Sequence, residues 1–163
     1  MGDIYYKKND NTKLFEDFEK YGISNVQNYI PIYRRFFSLN DKNFNNINLD
    51  ISNSLTEIHD KQSENIYNCS ISNGDVKNKT KTFLKFSPLI DPIKYMAGKY
   101  SSLDDETLTK LPKLEDNGCH KKLLDYNNSA YTDSFFTYLT SKLLHKNNFI
   151  HGLDFFGSYL SII

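Results

Sequence analysis

The dipeptide Asn73-Gly74 constrains this chain more than any other two residues. Asn-Gly between β-favouring stretches signals a tight hairpin, because a two-residue turn with positive φ matches the right-handed twist of antiparallel strands. Before it stand "LDISNSLTEIH" (49–59) and "NIYNCSIS" (65–72), split by the polar "DKQSE". After it comes "KTFLKFS" (81–87), where Phe83, Leu84 and Phe86 read as a buried strand. Three antiparallel strands in sequence order are expected, closed by Pro88 and Pro92.

The other elements follow from periodicity and punctuation. Residues 12–21 place Leu14, Phe15, Phe18 and Tyr21 on one helical face, with Thr12 as a cap and Gly22 as a stop. Pro31 argues against a central strand in "NYIPIYRRFFSL", and the Asn-rich residues 40–48 read as a loop. A polar connection follows residue 88, with a short helix around "DDETLTKL". From residue 129, Tyr131, Phe135, Leu139 and Leu143 recur every fourth position and Phe136 and Leu144 widen the stripe. Ser129 can cap that helix, Lys142 and Lys146 suit its C-terminal dipole, and Asn147-Asn148 can close it. Two more strands, "FIHGLDFF" and "SYLSII", are expected on either side of Gly157. The fold class is α+β: an antiparallel sheet of about five strands with one packed helix, over residues 49–163. Residues 1–48 read as a helical or irregular N-terminal extension.

Charge and cysteine usage narrow the function classes. Twenty basic residues balance twenty acidic ones over 163 residues, so no global field draws nucleic acid or a membrane surface. No run approaches membrane-spanning length and the start lacks a signal-peptide core. Gly2 is followed by Tyr6 where a myristoylation motif has Ser or Thr. Cys69 and Cys119 are too far apart for a short-spaced zinc motif, and reduced thiols suit an intracellular protein. No metal ligand set is expected. The richness in Asn, Lys, Ile and Tyr fits an AT-rich genome, and the apolar ending "FFGSYLSII" reads as part of a longer chain.

Lys85 is the one charge within "FLKF". Its bland reading is an edge-strand lysine with a packed stem and a wet head. The alternative is a site that uses the charge. "KTFLKFSPLIDP", with "LTEIHDKQSENIYNCSISNG" before it and "LLHKNNFIHGLDFFGSYL" after it, resembles the small lobe of a protein kinase. More specifically, residues 25–163 resemble an uncharacterised protein kinase-like family of giant DNA viruses. The resemblance implies a small-lobe-like domain truncated at its C-terminal end, with Lys85 on the lysine that binds ATP phosphates. It implies ATP and magnesium as cofactors if a large lobe of the same chain is competent. Phosphoryl transfer would then run to a protein hydroxyl. No catalytic residue is expected within these 163 residues.

The chain departs from the kinase pattern at several positions. The phosphate-loop glycine positions hold His59, Lys61 and Glu64, leaving His59 and Lys61 as loop-tip candidates for phosphate. Phe83 stands in the alanine position of the adenine pocket, and the helix acid expected near Thr137 or Tyr138 is missing, with Asp133 a turn early as the candidate lysine partner. Asp91, before Pro92, reads as a turn residue. The alternative function is a non-catalytic pseudokinase-like binding or scaffold module, or a structural virion protein. Partners would be a protein substrate or scaffold partner. The expected location is the cytoplasm of an infected host cell, or the virion.

Overall fold

The computed structural model describes residues 3–163; Gly2 lies outside them. The hairpin signal sits in a three-stranded antiparallel sheet of β4 (Ser54–Lys61), β5 (Ile66–Asn73) and β6 (Val76–Phe83), in that spatial order. Asn73 is the last residue of β5 and pairs with Val76, so the two loop residues are Gly74 and Asp75. Gly74 has φ +60°, the positive value that a two-residue turn with glycine in first place requires. The third strand therefore starts at Val76, directly after the turn, and ends at Phe83. The expected strand over 81–87 is corrected: its second half lies outside the sheet. Lys85 stands two residues past β6.

The burial expected of that segment is also corrected. Phe83 is 63% exposed and Phe86 41%, and only Leu84 packs partly on the core. The reason lies in the layers. Helix α1 (Thr12–Glu19) covers β4, and Leu14, Phe18 and Ile23 meet Leu55, Ile58, Tyr67, Cys69 and Ile71. The first six of the eight β6 residues are exposed, because β6 lies at the open side of the sheet. Such a strand needs no apolar face, which is why its sequence is "VKNKTKTF".

A second core is built around α5 (Ser129–Asn147). Its buried line is Tyr131, Phe135 and Tyr138, packed with Tyr33, Ile47, Leu49, Phe155 and Leu160. Phe136 and Leu143, expected in the apolar stripe, are 65% and 44% exposed. A step of four residues overshoots one turn by about 40°, so the 131-135-139-143 line winds off the core. The cap is Asn128, whose side chain accepts from the Ala130 amide, and Asn148 closes the helix with φ +53°. Short helices α2 (Pro92–Met96), α3 (Asp105–Thr109) and α4 (Lys121–Leu124) punctuate the connection before it.

The single five-stranded sheet is corrected as well. β1 (Tyr6–Lys8) pairs with β3 (Ile47–Leu49), and β2 (Ser24–Gln27) pairs with β7 (Leu160–Ile162), giving two small antiparallel sheets beside the larger one. A 3-10 turn over Pro31–Arg35 follows β2. Residues 149–156 form no strand, because their backbone is held against α5. Ser141 Oγ accepts the Phe155 amide at 3.1 Å, and a Cβ on Gly152 would lie 2.6 Å from the Thr140 carbonyl oxygen. The β2–β7 pairing and the packing of α1 on β4 both cross the division expected at residues 48 and 49. The architecture is α+β with several antiparallel sheets. Among the described residues no helix is long and apolar enough to cross a membrane.

Candidate functional site

Lys85 and Asp133 are brought together. Past β6 the Leu84 amide still donates to the Asn65 carbonyl at 2.8 Å, which aims the next residue across to the start of α5. Lys85 Nζ donates to Asp133 Oδ2 at 2.6 Å. The pair is a surface contact, with the side chains 62% and 51% exposed, so water screens it strongly. Phe83 ends the outer strand, and its ring is exposed.

His59 and Lys61 are not loop-tip residues, which corrects their expected placement. Both belong to β4, and residues 62–65 form the tip. The extended backbone turns their side chains sideways onto β5. His59 Nε2 lies 2.8 Å from Ser70 Oγ, and the Lys61 ammonium stands 5.7 Å from the Tyr67 ring centroid. Neither converges on Lys85. Asp91 caps α2, accepting from the Ile93 and Lys94 amides; the Lys94 amide, then that of Ile93, lowers its carboxyl pKa.

The residues that line a cleft are others. A concavity of about 500 Å³ opens between β1, the start of α1 and the start of β4. Lys7, Lys8, Lys13, Asn11, Asn48 and Ser54 are among its walls. Two of the three ammoniums are engaged: Lys7 with Asp50 at 3.1 Å, and Lys13 with Asp17 at 2.5 Å. Asn11 donates to both Asn28 and Asn48, while Asn48 Nδ2 is buried without a partner. Polar and apolar side chains line the cleft in about equal measure, with Leu14, Ile47, Leu49 and Phe155 among the apolar ones. None of Lys85, Asp133, His59 and Lys61 lines it.

Two further charged groups carry no signal in the sequence. Asp17 is 1% exposed and accepts from Lys13, from Lys20 at 2.7 Å and from the Ile58 amide at 3.2 Å. Burial would raise its pKa, but those bonds outweigh it and hold the carboxyl at about 2. Lys142 is the least exposed lysine in an ion pair, at 13%; burial, and then Lys146, lower its pKa. Its ammonium donates to Tyr138 Oη at 3.2 Å and lies 4.0 Å from Asp50. Asp17 falls within an apparently solvated helix face, and Lys142 reads as a dipole partner, so nothing local announces their tertiary contacts. Cys69 and Cys119 are free and buried, and burial pushes both thiols up. Among the described residues no group of three or more His, Cys, Asp and Glu side chains could hold a metal ion.

No family model, curated protein or solved structure matches this chain.

Proposed function

We propose that the chain is a protein-binding module, and that its kinase-like phrases mark a small-lobe-like frame without a working nucleotide site. The state of Lys85 supports this most. Its ammonium is closed onto Asp133 in a solvent-screened pair. A lysine that orients phosphate acts from a walled, low-dielectric site, where its charge is worth far more than at a wet surface. His59 and Lys61 are engaged with Ser70 and Tyr67 and do not join the Lys85–Asp133 pair, so the groups present form no cluster suited to ATP and magnesium. Exposed Phe83 supplies no adenine wall.

Thermal melts with and without saturating ATP-Mg test this reading, since a ligand that binds the native state raises its stability. The expected result is the same melting temperature in both, for the wild type and for Lys85→Met. A nucleotide-dependent rise that Lys85→Met abolishes would overturn it.

The second reading is phosphoryl transfer from ATP to a protein hydroxyl by a longer kinase-like chain. The 2.6 Å contact between Lys85 and an acid of the long helix favours it, because kinases pair their phosphate-binding lysine with such an acid. A location in the cytoplasm of an infected host cell, or in the virion, belongs to both readings.

A further inference from the structure

β6 has one neighbour. β5 takes one of its edges, and no backbone hydrogen bond joins the other edge to any described residue. The hairpin fixes which backbone groups lie there. The pair that closes a two-residue turn, Asn73 and Val76, exchanges ladder bonds, so ladder bonds recur at even-numbered β6 residues. The Leu84 amide bonded to Asn65 keeps the same phase. The amides and carbonyls of Lys77, Lys79, Lys81 and Phe83 therefore face outward, free to pair.

The side chains of those residues share one sheet face, because alternate residues do. Lys77 is bound to Glu57 at 3.4 Å, while Lys79 and Lys81 enter no ion pair among the described residues. At the far end Phe83 stands beside Ile66, both exposed. The edge thus offers a row of cations ending in an apolar spot.

We propose that the free edge of β6 receives an extended acidic segment of a partner protein as a fourth strand. The segment would carry acids at alternate positions, over Lys77, Lys79 and Lys81, with an apolar side chain over Phe83 and Ile66. Main-chain bonds supply the affinity and the alternate side chains supply the choice of partner. The lysines also select against the commonest competitor. Pairing β6 with a second copy would set lysines opposite lysines, and like charges across a ladder repel. The inference rests on the binding-module reading and names the surface and the partner chemistry.

The test uses the whole chain and a synthetic peptide of alternating Glu and Thr ending in Leu, with Lys replacing Glu in the control. Fluorescence anisotropy at low salt should register the Glu peptide and not the Lys peptide. Affinity should fall about tenfold or more as added salt screens the row. On binding, amide hydrogen exchange should slow at Lys77, Lys79, Lys81 and Phe83, and change little at Asn78, Thr80 and Thr82, already bonded to β5. The double variant K79E/K81E keeps the Lys77–Glu57 pair and should exchange the preference, losing the Glu peptide and gaining the Lys peptide. No binding, binding without protection of those four amides, or a double variant that loses one peptide without gaining the other would overturn the proposal. The lysines would then serve only to keep the edge unpaired. The ATP melts test the binding-module reading separately, since β6 edge variants leave Lys85 and Asp133 in place.

Discussion

Asp17 on α1 and Asp133 on α5 both meet lysine ammoniums, in opposite surroundings. Asp17 is 1% exposed and is held by two lysines and a backbone amide of β4. Asp133 is 51% exposed and is held by Lys85 alone. The first carboxylate has given up water and must be bonded at every turn, so it anchors a helix to a sheet. The second keeps much of its hydration and closes a surface clasp. Exposure, more than the identity of the partner, decides what a carboxylate–lysine contact is worth.

Removing the buried carboxylate tests this difference most directly. Asp17→Ala leaves the Ile58 amide without its acceptor in a closed core and should cost about 3 kcal/mol of unfolding free energy. Urea denaturation measures it. A loss comparable to that of an exposed substitution, below about 0.5 kcal/mol, would mean that burial does not separate the two sites.

Acid probes the same difference less severely. The folded-state pKa of Asp17 is depressed to about 2, so its stabilisation is present above the unfolded carboxyl value and is lost as pH falls through about 2. The shift corresponds to at most about 2–3 kcal/mol. Lys13 and Lys20 are both more than half exposed, and screening leaves about 1–2 kcal/mol. Stability followed by denaturant titration from pH 5 down to pH 2 should therefore fall in the wild type. Asp17→Asn starts from a lower plateau and should lose the part of that slope which Asp17 contributes. An unchanged slope would assign the acid sensitivity to other carboxylates.

The elements differ in how far the sequence announces them. Helices α1 and α5 and the β5–β6 turn are legible because each is specified locally, by a stripe, a stop at Gly22 or a glycine turn. β2 is not, since a four-residue strand pairing across most of the chain leaves no local period, whereas β7 falls within the expected strand "SYLSII". The segment 149–156 alternates like a strand yet spends its backbone on α5 through Ser141. β6 fails in the opposite sense: its polar run is a strand because an open edge demands no apolar face, while the apolar "FLKF" beside it mostly leaves the sheet. For the candidate site, the resemblance names Lys85 and puts its acid near Thr137 or Tyr138, whereas the acid in contact is Asp133, a turn earlier. It gives no hint that the contact is wet, because exposure depends on what the rest of the chain fails to cover.

The smallest expected effect belongs to that wet contact. A double-mutant cycle of Lys85→Met and Asp133→Asn, read by urea denaturation, should return a coupling of about 0–1 kcal/mol that shrinks in added salt. Each single variant should unfold close to the wild type, because water replaces the lost partner at both exposed groups. A coupling above about 2 kcal/mol, insensitive to salt, would require a desolvated pair, in which lysine and acid act together as in a nucleotide site. Such a value would also shift the balance toward the phosphoryl-transfer reading. A screened coupling leaves Lys85 as a clasp between the end of β6 and α5, with its charge satisfied at the surface.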